Sequence, residues 1–149
     1  MHIKQTQLEQ LMPLMQEKLA QGNTVCLYPN GVSMLPMLRQ GVDSVVISPL
    51  PPKLKKYDLP LYRRDNGQYV LHRIVKTDET FTCMGDNQFG KETGIRQDQM
   101  IGLVTAFYRK EKKISVTNTG YQIYCRFCHH TRFIRRVWRR ILRSLRVRN

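Results

Sequence analysis

Two residues carry most of the chemistry this sequence can offer: Ser33, within PNGVSMLPMLRQGVD (29–43), and His72, within YVLHRIV. Ser33 stands between Gly31, Val32 and Met34, with Pro36 three residues further on, so the backbone must turn sharply before any regular helix can form. A serine on such a turn beside an apolar strand points outward and can present its hydroxyl to a substrate backbone. The hydroxyl is a poor nucleophile without a base in hydrogen-bond reach, and an imidazole of ordinary pKa, about 6.5, suits that task at neutral pH. His72 can supply it, although a lone histidine between apolar neighbours is more often a structural residue.

A third stretch, MGDNQFGKETG (84–94), puts Gly85, Asp86 and Asn87 in a turn after a strand, with Glu92 in the same loop. A carboxylate from this loop can orient the imidazole and stabilise its protonated form. Local chemistry by itself favours a plainer role, with Asp86 and Asn87 bonding their own backbone.

The elements that must position these groups read as mainly β, α+β in class. Residues 5–21 space Leu8, Leu11, Met12, Met15 and Leu19 as an amphipathic helix, with Pro13 inside it as a point of kinking or splitting and Gly22–Asn23 as its stop. Strands are expected at 24–28, 44–48, 58–64, 68–76, 80–84 and 101–108. Asp65, Asn66 and Gly67 between apolar runs signal a hairpin, and the proline-rich PLPPKLKK is a loop. A small curled sheet or barrel-like body follows, with a helix in front. The expected division is an N-terminal helix (1–23), a β domain (24–117) and a basic tail (118–149).

Charge is unevenly placed. Residues 1–108 hold 12 Lys or Arg against 10 Asp or Glu, whereas 109–149 hold 13 against Glu111 alone. The tail therefore calls for an acidic partner. Within 130–147, Ile134, Trp138, Ile141 and Leu145 share one helical face, and Arg132, Arg135, Arg136, Arg139, Arg140, Arg143 and Arg146 fill the rest. An apolar stripe with an indole suits a membrane surface, whereas nucleic acid would need the arginines without the stripe. No apolar run is long enough to span a bilayer and no export-signal pattern is present, which predicts a cytoplasmic or peripheral-membrane chain. Four cysteines are too few and too irregular for a disulfide framework.

The ordered set GVSMLPML, VLHRIV, MGDNQ and IGLV, over about residues 24–108, resembles the signal peptidase and LexA-like serine peptidase superfamily, and more narrowly its serine/histidine signal-peptidase branch. The resemblance implies a mainly β peptidase fold, a nucleophile at Ser33 and a general base at His72, where the bacterial enzymes and LexA-like repressors have lysine. It implies a third carboxylate at Glu92 or Asp86, with Glu92 preferred as the orienter of His72 and Asp86 in support. It also implies a leader or signal-like peptide as substrate, added as a strand beside the nucleophile, and no cofactor. The chain departs from the family where Val42 separates Gly41 from Asp43, and in having only the helix at 5–21 where family enzymes usually have a membrane anchor.

Two other functions compete. A self-cleaving LexA-like regulator would need a lysine base and an N-terminal helix-turn-helix, for which the residues before the first strand are too few. A non-catalytic, peptidase-like module could bind lipid or nucleic acid through the tail. Cys125, Cys128 and His129 fit the spacing for covalent haem attachment, but that modification needs export. With His130 they are too close together to close a tetrahedral zinc site unaided. The expected structure there is a turn with buried thiols leading into the helix, and no metal is predicted.

Overall fold

The computed structural model describes residues 5–131 together with Ile134 and Val137. Its body is mainly β with two helices, in the order α1 (Gln5–Ala20), β1 (Val25–Leu27), β2 (Asp43–Ser48), β3 (Pro60–Arg63), β4 (Tyr69–Leu71), β5 (Arg73–Thr77), β6 (Phe81–Met84), β7 (Glu92–Ile95), β8 (Met100–Arg109), β9 (Lys112–Ser115) and α2 (Thr119–His130).

The ten-residue β8 is the spine of a six-stranded sheet ordered β1-β2-β8-β3-β4. All its pairings are antiparallel: β2 lies along one edge, and β3 and then β9 share the other. Register shifts at Val46/Ile47 and at Leu61/Tyr62 bend the strands, curling the sheet into a half-barrel. A second sheet, β5-β6-β7, is also antiparallel.

The chain passes from one sheet to the other at His72. The run 68–76, expected as one strand, divides into β4 in the first sheet and β5 in the second. Apolar residues flank His72 and Arg73 on both sides, YVL before and IV after, so the run reads as one strand. The β3–β4 hairpin is as expected, closed by the Arg64 N–H to the Gln68 carbonyl at 2.8 Å, with Gly67 supplying a φ of +87°.

Helix α1 buries Met12, Met15 and Leu19 against the first sheet, where Leu27, Val45, Ile47, Leu61, Val104 and Phe107 complete the main core. Pro13 lies on the exposed side and α1 is a single unbroken element. Leu11, expected on the apolar face, is instead 42% exposed. A second cluster, formed by Leu54, Tyr62, Ile74, Cys83, Ile95 and Met100, ties β3 and β8 to the smaller sheet.

Two strands and the start of the second helix depart from expectation. β7 lies in a stretch read as loop, and β9 follows β8 directly. Residues 119–130 are helical, including the Cys125–His130 stretch where a turn was expected, and the helix is capped by the Asn118 side chain accepting the Tyr121 N–H. Tyr121, Cys125 and Cys128 form the buried face of α2. Of the amphipathic pattern expected over 130–147, His130, Ile134 and Val137 are helical and exposed, Thr131 follows α2 as its cap, and the rest lies outside the described residues.

Candidate active site

Ser33 begins the turn that follows β1, and its position is fixed from behind by Gly85–Asp86–Asn87. The Asn87 N–H donates to the Ser33 carbonyl at 2.8 Å, and Asn87 Nδ2 donates to the Val32 carbonyl at 3.0 Å. Gly85 allows the approach, because a Cβ there would stand 2.6 Å from the Ser33 oxygen and 3.1 Å from its Cβ. Glycine and asparagine thus hold the Ser33 segment.

The far end of the same segment is closed by Asp43, which is fully buried. It accepts the Arg39 N–H and Nε at 2.9 Å each and Nη2 at 2.7 Å. Hydrogen bonds from Arg39 hold its carboxyl below the ordinary aspartate range, against an opposing effect of burial. Val42, the residue that separates Gly41 from Asp43, turns outward at 49% exposure, so the extra residue is absorbed on the surface.

The two candidate carboxylates occupy different surroundings. Glu92, at the start of β7, lies 2.8 Å from His72 Nδ1. Its oxygens also accept the Tyr62 hydroxyl at 3.0 Å, Arg64 Nε at 2.8 Å and Arg64 Nη2 at 2.6 Å. Burial pushes the Glu92 carboxyl up, but the hydrogen bonds from Arg64 and Tyr62, with the nearby positive charge, outweigh it and hold Glu92 below its usual range. An ionised carboxylate can only accept, so the proton of His72 sits on Nδ1 and Nε2 is left as the acceptor. Burial lowers the His72 pKa more than the charge of Glu92 raises it, which keeps the ring neutral at neutral pH.

Asp86 instead accepts Arg73 Nε at 2.8 Å and Nη2 at 2.7 Å, and the Tyr124 hydroxyl from α2 at 3.2 Å. Arg73 is itself almost wholly buried and spends its remaining donors on the Tyr57 carbonyl, the Tyr121 hydroxyl, Cys125 Sγ and Met37 Sδ. His72 and Arg73, adjacent in sequence, each reach a different carboxylate.

Ser33 and His72 line one cavity of about 220 Å³, with Met34, Leu38, Arg64 and Gln88 among its walls. A smaller cavity of about 70 Å³, walled by Leu8, Leu27 and Leu61, shares Pro29, Asn30, Tyr69 and Leu71 with the first. β4 bonds to β3 along one edge, and its residues line both cavities. Ser33 and His72 thus share a cavity, Glu92 stands against His72 Nδ1, and β4 ends the strand order of its sheet beside them.

Arg64, Tyr62 and Arg73 went unrecognised in the sequence. Arg64 and Glu92 are 28 residues apart, and nothing pairs them before β7 is known to be a strand. Arg73 had a legible signal: an arginine inside an apolar run must find a buried acceptor, and the Gly85–Asn87 turn offers one. Cys125 and Cys128 are buried thiols of α2, Cys125 against Arg73 and Cys128 3.9 Å from the Asp86 carbonyl. Among the described residues no group of three or more His, Cys, Asp or Glu side chains is placed to hold a metal ion. No family model, curated protein or solved structure matches the chain.

Proposed function

We propose that the chain is a serine endopeptidase of signal-peptidase type, cutting a leader or signal-like peptide through Ser33, His72 and Glu92. The observation that carries this reading is the 2.8 Å contact of His72 Nδ1 with Glu92, made by a histidine that shares a cavity with Ser33. Asp86 has a structural role in this scheme, as the partner of Arg73.

In the acylation step Ser33 Oγ attacks the scissile carbonyl and His72 Nε2 takes the hydroxyl proton. Backbone N–H groups of the Ser33 turn receive the oxyanion. The tetrahedral intermediate collapses as the C–N bond breaks and the imidazolium gives its proton to the leaving amine. Water then attacks the acyl-enzyme with His72 again as base, releasing the new carboxylate and restoring Ser33. The open side of β4 suits an extended peptide joining as a further strand.

The tail is proposed to rest on an anionic lipid surface. Ile123 and Phe127, 60% and 63% exposed, lie opposite the buried face of α2, and Ile134 and Val137 are exposed beyond them. Apolar side chains backed by the positive charge of residues 109–149 fit a lipid interface. The same stripe supports a second reading, a non-catalytic module on the membrane, and reactivity separates the two. The peptidase reading predicts that wild type reacts with a serine-directed fluorophosphonate and that Ser33→Ala and His72→Ala do not. Labelling that persists in Ser33→Ala overturns the peptidase assignment.

A further inference from the structure

We propose that Arg64 is a positioning residue for this site: by forking both oxygens of Glu92 it fixes the carboxylate on His72 Nδ1, holds the tautomer with Nε2 free, and sets the pH at which the base is available. The inference rests on the peptidase reading and adds to it a residue outside the Ser–His–carboxylate set.

A carboxylate bound only to an imidazole can rotate about its last bond and shift along the ring edge. Glu92 lacks that freedom. Arg64 Nε reaches one oxygen at 2.8 Å and Nη2 the other at 2.6 Å, the two-point contact a planar guanidinium makes and a lysine ammonium does not. The oxygen that takes Arg64 Nη2 is the one on His72, and the other also accepts the Tyr62 hydroxyl. Arg64 is only partly buried, its side chain 32% exposed, and it lines the Ser33 cavity, so it sits between solvent and the carboxylate.

Charge acts in the same direction as the fork. Around His72 and Glu92 stand Arg64 and Tyr62 from the β3 side, Cys83 from β6 and Asp86 from the turn after it. Asp86 is matched by Arg73, and burial keeps both the Tyr62 phenol and the Cys83 thiol protonated at neutral pH. Arg64 is therefore the charge that offsets Glu92. Without it the carboxylate acts on His72 uncompensated and favours the imidazolium, which cannot accept a proton.

The test uses Arg64→Gln and Arg64→Lys in the full chain, with two readouts. One is the second-order rate of Ser33 labelling by a fluorophosphonate across pH 5–9. The other is the NMR titration of the His72 ring, assigned with His72→Gln. In Arg64→Gln the labelling rate falls on the order of tenfold to a hundredfold near neutral pH. Its acid limb and the His72 titration both move to higher pH. In Arg64→Lys the titration stays close to wild type while part of the rate is lost, because the charge returns without the fork. An Arg64→Gln protein with wild-type rate and wild-type His72 titration makes the pair a structural tie and overturns the proposal. If Arg64→Gln does not fold, an Arg64→Lys protein identical to wild type in both readouts overturns it equally. The peptidase reading fails in a different way: wild type itself is not labelled at Ser33, whatever the titration does.

Discussion

Replacing Arg73 with methionine removes one half of a charge pair that water hardly reaches, the side chains of Arg73 and Asp86 being 2% and 1% exposed. Two contacts of 2.8 and 2.7 Å are lost. Asp86 keeps the Tyr124 hydroxyl, but the Tyr57 carbonyl and the Tyr121 hydroxyl lose the Arg73 donor. Breaking a buried pair from one side costs about 3–5 kcal/mol, because the remaining charge stays desolvated. The remaining Tyr124 bond places Arg73→Met toward the lower half of that range. For a chain of this size the loss corresponds to a fall in Tm of roughly 6–20 °C, measured by calorimetry at neutral pH. A domain with about 5–15 kcal/mol of stability remains folded at room temperature. The double variant Arg73→Met with Asp86→Leu replaces both charges by apolar groups and recovers much of the loss, since a buried pair is often no better than an apolar replacement. A fall of under about 3 °C in the single variant refutes the reasoning. So does a double variant whose loss equals the sum of the two single ones, because that would mean the groups are not coupled.

Four further outcomes follow from the same geometry. Glu92→Gln lowers the fluorophosphonate labelling rate by at least about a hundredfold through the wrong tautomer. Asp86→Asn chiefly lowers Tm, so similar profiles for the two variants would contradict their separate assignments. Gly85→Ala places a Cβ 2.6 Å from the Ser33 carbonyl oxygen, a backbone contact that is relieved by shifting the Ser33 turn against the Gly85 turn. Labelling therefore falls sharply, and wild-type labelling in this variant would show that Ser33 is held some other way. The His72 pKa is lowered, chiefly by burial. Its contribution to stability is complete above the unfolded value of about 6.5 and is lost as pH falls from there through the folded value. Denaturant titrations at pH 7 and pH 5 should show a smaller drop for His72→Gln than for wild type, and an equal drop contradicts the burial argument.

The candidate residues are legible in the sequence to different degrees, and the reasons differ by residue. Ser33 declares itself through Gly31 and Pro36, which force a turn, and His72 and the 84–94 loop stand out as the polar groups nearest to apolar strands. What could not be read is how the carboxylates divide. That division depends on the change of sheet at His72, which sends β4 and β5 to different partners, and the apolar residues on both sides of His72 and Arg73 read as one run. β7 was hidden because ETGI is short and only Ile95 among its residues is buried. Without that strand, Arg64 and Glu92 have no reason to meet. The start of α2 was hidden by CRFCHH, whose cysteines invite a metal or turn reading, although Tyr121, Cys125 and Cys128 already fall at the spacing of one helical face.

The central claim is that His72, oriented by Glu92, activates Ser33. Mass spectrometry of the fluorophosphonate-treated protein tests it most directly, because the adduct forms as Ser33 Oγ bonds to phosphorus, fluoride leaves and the hydroxyl proton passes to the base. The account predicts a single adduct on the peptide containing Ser33 at pH 7.5, absent from His72→Ala. An adduct on any other residue, or an equal yield on Ser33 in His72→Ala, would contradict it.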